Sequence, residues 1–135
     1  MFTCPDCNRK FKHKNQPHSC VVLPVDIHFE NKKPVIRKIY NKIISSIKSL
    51  ENISISSTPG AIIISSKSTF LAVKPKKEKV IIEFLLDEPS DDKIVKKIVK
   101  VSARRYAHFF HLKSPGDVNM NLIHLLKYSY KLINE

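Results

Sequence analysis

The sequence predicts an α+β domain: a helix, a five- to six-stranded antiparallel sheet and a second helix in a two-layer sandwich, preceded by a zinc knuckle. Three observations carry this expectation. Apolar residues recur at three- and four-residue steps in residues 34–50 and again after residue 117, whereas between them the period drops to two. All three cysteines fall within the first twenty residues, where Cys4-Pro-Asp-Cys7 is followed by His18-Ser-Cys20. A chain of 135 residues, 42% hydrophobic and with only two glycines, is long and apolar enough for one real core. The expected division is a leader and connector over 1–28 and an α+β domain over 29–135.

The leader is polar and contains two large apolar side chains, Phe2 and Phe11, so a bound metal would have to supply its stability. Residues 21–29 read as an extended connector whose apolar side chains dock on the main body. In residues 34–50 one stripe is formed by Ile36, Ile39, Tyr40, Ile43, Ile44, Ile47 and Leu50, with Arg37, Lys38, Lys42 and Lys48 opposite. Asn31 is the expected N-cap, and Pro34 falls in the first turn, where its missing N–H is tolerated.

Residues 53–57 alternate as a short strand, and Thr58-Pro-Gly60 is a turn. Ala61–Ser66 and Thr69–Lys74 follow as strands joined tightly through Lys67-Ser68, and Pro75–Glu78 is a solvated loop. Lys79–Leu86 is the clearest strand, with Val80, Ile82, Phe84 and Leu86 on one face. After an acidic loop, residues 94–101 fit either an amphipathic helix or a strand rich in β-branched residues. Their shortness and immediate junction with the next strand favour a hairpin. Tyr106–Leu112 carries bulky residues on both faces, as an interior strand does. Ser114-Pro-Gly-Asp117 has the make-up of a capping box with Pro at the first helical position. Val118, Leu122, Leu125, Leu126, Ser129 and Ile133 form the stripe of the last helix. Both helices cover one sheet face; the other is open to solvent or covered by the leader, and is the expected place for binding.

Cys4, Cys7, His18 and Cys20 are the expected ligands of one structural zinc ion, with His13 a competitor for the place of His18. The one-residue spacing of His18 and Cys20 does not match the helical ligand pair of a DNA-reading finger. Four protein ligands also leave no open position for catalysis at the ion. Arg9, Lys10, Lys12 and Lys14 partly offset the charge of three thiolates.

With 24 Lys and Arg against 12 Asp and Glu, the net charge of +12 favours a polyanionic partner: nucleic acid, an anionic membrane surface or an acidic protein. The alternative is a lysine- and isoleucine-rich composition that reflects mutational bias and solubility alone. Lys96, Lys97, Lys100, Arg104 and Arg105 lie beside Tyr106, His108 and Phe110. On a strand pair Lys96 and Lys100 would share a face, as would the three aromatic rings, an arrangement that holds phosphates and stacks bases. The alternative is a solvated sheet edge guarded by lysines. His108 with Arg105 would suit an enzyme acting on an anionic substrate. However, no nucleophile elbow, Gly-rich phosphate loop or paired carboxylates accompany them, and a lone strand histidine is more often structural. No run approaches the roughly 18 apolar residues that span a bilayer. Phe2-Thr-Cys-Pro-Asp lacks the charged start and apolar core of a secretory signal, and clustered cysteines suit a reducing, cytoplasmic compartment.

Phe2-Thr-Cys-Pro-Asp-Cys-Asn-Arg-Lys-Phe11 and Asn15-Gln-Pro-His-Ser-Cys20 resemble the leader of proteins carrying the domain of unknown function 5655. Lys67-Ser-Thr-Phe70-Leu-Ala-Val-Lys-Pro75, Ser102-Ala-Arg-Arg105-Tyr-Ala-His108 and Ser114-Pro-Gly-Asp117-Val are similar to later stretches of that family. Lys67, in the first of these, completes the anion-binding candidates. Leu71 and Lys127-Tyr128 depart from the family pattern without touching the metal set. The family is uncharacterised, so the resemblance brings no function. The residues lead to a non-enzymatic, zinc-stabilised module that binds nucleic acid or another polyanion through a basic sheet face. Its alternatives are a protein-interaction adaptor using the knuckle or a dimer interface, and a small enzyme using Arg105 and His108.

Overall fold

A computed structural model of the protein describes residues 2–3, 10–11, 24–91 and 94–134. Cys4, Cys7, His18 and Cys20, the expected zinc ligands, lie outside the described residues, as does His13. Within the leader, β1 (Phe2–Thr3) and β2 (Lys10–Phe11) pair antiparallel, with Phe2 opposite Phe11.

Residues 25–29 form a 3-10 turn where an extended connector was expected. The pattern of docking explains the difference: Val25 and Phe29 pack on the core while Ile27 stays 39% exposed. An extended segment would put all three on one side. The turn is held from the next element, whose Arg37 donates to the Asp26 carboxylate at 2.6 Å and lies 4.7 Å over the Phe29 ring.

α1 spans Pro34–Ile47, with Lys33 as N-cap and Pro34 at its first position. Asn31 does not cap it; it takes a left-handed backbone, φ 58°, in the preceding turn, a conformation asparagine tolerates better than most residues. Ile36, Ile39, Tyr40, Ile43 and Ile47 are buried as the stripe predicts, and Ile44 and Leu50 are half-buried.

Six strands follow in chain order: β3 (Ser54–Ser57), β4 (Ile62–Ser65), β5 (Thr69–Pro75), β6 (Val80–Leu86), β7 (Val95–Ser102) and β8 (Arg105–Leu112). Their spatial order is β3-β4-β5-β6-β8-β7, every neighbouring pair antiparallel. Residues 95–102 are therefore a strand and not a helix, and β8 is interior, as its bulky residues on both faces imply. β3 to β6 make a meander of adjacent hairpins. The chain then passes β8's position to start β7 at the sheet edge.

Ser114 and Asp117 do form the expected capping box: Asp117's carboxylate accepts from the N–H groups of Lys113 and Ser114 at 2.8 and 3.3 Å. What it caps is a separate 3-10 turn, Pro115–Asp117. α2 (Met120–Ile133) starts afresh, its own cap being Asn119, whose side chain accepts from the Leu122 N–H at 3.0 Å. Leu122, Leu126, Ser129 and Leu132 form its buried row; Leu125 and Ile133 are half-buried at its flanks.

Both helices lie on the same face of the sheet. β6 shows why that face is the core: Val80, Ile82, Phe84 and Leu86 are at most 4% exposed. Each contributes about 1.5–3 kcal/mol by leaving water. Among the described residues no helix is long and apolar enough to cross a membrane.

Candidate functional site

β8 separates two sets of side chains. Tyr106, His108, Phe110 and Leu112 stand opposite Leu86, Phe84, Ile82 and Val80 of β6, which is the helix-covered row. The three rings expected to share a face therefore do so, but on the inside. Phe110 and His108 are wholly buried, so neither is on the open face where anion binding was expected.

His108 is occupied on every side. Its ring stacks on Phe84 with centroids 6.1 Å apart. Its Nε2 accepts the backbone N–H of Ser90 at 2.9 Å, and its Nδ1–H donates to the Tyr106 carbonyl at 2.9 Å. Because one nitrogen must accept and the other donate, this is a neutral imidazole. It pins the segment that passes from β6 to β7 against the sheet. Arg105, of opposite phase on β8, pairs with Ser102, and its guanidinium donates to the Arg104 carbonyl at 2.8 Å. The two proposed catalytic partners thus lie on opposite faces of one strand.

The other face of β8 carries Ala107, Phe109 and His111, opposite Leu85, Glu83 and Ile81 of β6. Ile63 on β4 and Ala72 and Lys74 on β5 continue it. Neither helix packs on this face. Ile63, Ile81, Leu85 and Phe109 are half-buried there, making a shallow apolar floor.

Lysines rim that floor at one end. A register shift between Val95 and Lys97 sets Lys97 opposite Phe109, its ammonium 5.7 Å from the ring centre. Lys100 stands opposite Tyr106, on the inner side. Lys96 and Lys100 therefore do not share a face as simple alternation predicts: the bulge adds one residue and reverses the phase of what precedes it. Lys96 instead acts on His111, whose pKa is lowered by burial and then by the charges of Lys79, Lys96 and Lys113. Among the described residues none of Lys79, Lys96, Lys97 and Lys113 has an ion-pair partner.

The sequence-predicted basic set is thus divided. Lys96 and Lys97 belong to the His111 cluster. Lys100, Arg104 and Arg105 sit toward the opposite end of β7 and β8. Lys67, in the β4–β5 turn, donates to the Asn134 carbonyl at 3.4 Å. Lys79, Phe109, His111 and Lys113 were not among the predicted residues. Testing the second phase of the period-2 pattern on 105–113 would have grouped three of them.

Fold and face together define the class: a two-layer α+β domain with a lysine-rimmed sheet face on which neither helix packs. The chain belongs to the family described as Domain of unknown function (DUF5655), whose model matches residues 25–133. The cysteines of the leader lie before the matched residues. No curated protein and no solved structure matches the chain.

Proposed function

We propose that the protein is a non-enzymatic binding module that holds single-stranded nucleic acid on the outer face of its sheet. One observation carries the reading: four lysines without ion-pair partners among the described residues, Lys79, Lys96, Lys97 and Lys113, gather around Phe109 and His111. Point charges of this kind hold phosphates, and exposed ring faces stack bases without demanding a sequence. The net charge of +12 draws a polyanion toward the surface. Affinity for short single-stranded DNA and RNA across a salt series tests it. Four phosphate contacts give a log–log slope of about −3. Absence of binding at low salt overturns the reading.

The half-buried Ile63, Ile81, Leu85 and Phe109 on the same face favour a second reading, an adaptor that docks a protein partner. A specific complex that survives nuclease treatment would select it.

The proposal includes a structural zinc ion on Cys4, Cys7, His18 and Cys20. The antiparallel pairing of β1 with β2 supports it, since residues 4–9, which include Cys4 and Cys7, then connect two paired strands. Three thiolates and an imidazole are a closed tetrahedral set, so the ion would lend stability to the leader and no reactivity. Native mass spectrometry should find one zinc per chain, lost in Cys7→Ser; a metal-free chain with its thiols reduced refutes this part.

A further inference from the structure

The end of the sheet that carries His111 has a second basic feature. A cavity of about 360 Å³ opens where the 25–29 turn, the β3–β4 turn and the end of β5 meet. Its walls include Ile27, His28, Lys32, Gly60, Lys74 and Lys76, and among the described residues no carboxylate lines it. This volume is at the small end of those that enclose ligands.

The walls are built, not loose. The His28 imidazole is tied to β3 by a 2.9 Å hydrogen bond between its Nε2 and the Ser57 hydroxyl. The Lys32 ammonium donates to the His28 carbonyl at 2.6 Å, which fixes its charge against the turn. Lys74 has only a loose ion pair, 3.5 Å from Glu83, and Lys76 has none among the described residues. Lys32, Lys74 and Lys76 thus line one cavity, and among the described residues the one carboxylate paired with any of them is that of Glu83, on Lys74.

Gly60 adds an independent observation. Its φ is not positive, and a Cβ built on it would meet no atom within 4 Å. The fold itself therefore does not require glycine at this wall. A group entering the cavity does gain from it, because it can approach the backbone closely.

Register connects the cavity to the outer face. Lys74 stands opposite Ile81, and Ile81 opposite His111. Lys74 and His111 are therefore two strand spacings apart, about 10 Å, on the same face. We infer that the cavity seats the terminal phosphomonoester of the strand held on that face. A terminal phosphate carries up to two charges and three free oxygens, whereas an internal diester carries one charge, so a site of convergent cations prefers the end. The inference rests on the nucleic-acid reading above, but its test separates the two.

The experiment compares a short oligothymidylate bearing a 5′-phosphate, a 3′-phosphate or neither, alongside thymidine monophosphate alone. One phosphorylated form should bind about tenfold tighter than the unphosphorylated strand, the worth of a charge-assisted hydrogen bond. In Gly60→Ala the ratio should fall toward one with an unchanged thermal midpoint; Lys76→Ala, at an exposed position, gives the same readout should Gly60→Ala fail to fold. Equal binding of all three strands overturns the cavity's role and leaves the face reading standing. Binding of the monophosphate while none of the three strands binds overturns both the strand-end assignment and the face reading.

Discussion

His108 and His111 lie three residues apart on β8 and meet opposite surroundings. His108 faces the helices, is fully buried, and spends both nitrogens on backbone groups of Ser90 and Tyr106. His111 faces the side away from both helices, half-buried among Lys79, Lys96 and Lys113. The same contrast separates Phe110, at 0% exposure, from Phe109 beside the Lys97 ammonium. On a strand, position parity decides whether a ring belongs to the core or to a surface, and chemical type does not.

The largest test of this contrast is the phenylalanine pair. Phe110→Ala should lower unfolding stability in urea by about 3–5 kcal/mol. Phe109→Ala should change it little while weakening oligonucleotide binding by about 1–3 kcal/mol, the value of one base stack. Equal losses of stability would break the comparison. Next comes His108→Ala, which removes an acceptor from the Ser90 N–H and a donor from the Tyr106 carbonyl and should destabilise by about 1–3 kcal/mol. Replacing Lys96 and Lys97 together by alanine should leave the unfolding midpoint alone and make the salt slope of binding shallower by about 1.4.

A smaller effect sharpens the picture of the inner layer. Ser129 is wholly buried, and its hydroxyl has no partner among the described residues. Ser129→Ala should raise stability by about 1 kcal/mol, read by denaturant midpoint. The last effect is a pH dependence. His111 should titrate below the ordinary imidazole value of 6.5 in an NMR pH series, because burial and then three lysines oppose its charge. In that window the unfolded chain binds more protons than the folded one. Its contribution to stability is therefore full above 6.5 and declines as pH falls through the folded value, and His28, also lowered, acts in the same direction. A bound oligonucleotide should move the His111 midpoint upward; no movement would place the strand elsewhere.

The elements were readable in the residues because each has a clean period: three to four in Ile36–Ile47, two in Val80–Leu86. Bulk on both sides of 106–112 announced an interior strand. What sequence could not provide was which phase of that strand lay inside. Tyr106, His108 and Phe110 look like a binding face only until the segment pinned by Ser90 and two helices are laid over them. The bulge after Val95 is equally silent, since it depends on how β7 meets β8 and not on a distinctive residue. The same holds for Asn31 and Ser114: each has cap chemistry, but neighbouring turns decided where it was used.

The position of β8 between β6 and β7 also bears on how the chain assembles. β3 to β6 can zip up in succession, each strand finding the one just made. β7 cannot join this growing sheet alone, because among the described strands its one neighbour is β8, which comes after it in the chain. The two must close as a hairpin around residues 103–104 and dock together, with β8 sealing against β6. Folding thus divides into a local meander and a later hairpin capture. Native-state hydrogen exchange should find the amides that pair β7 with β8 opening as one unit; independent opening of β7 from a docked β8 would argue for edge fraying instead.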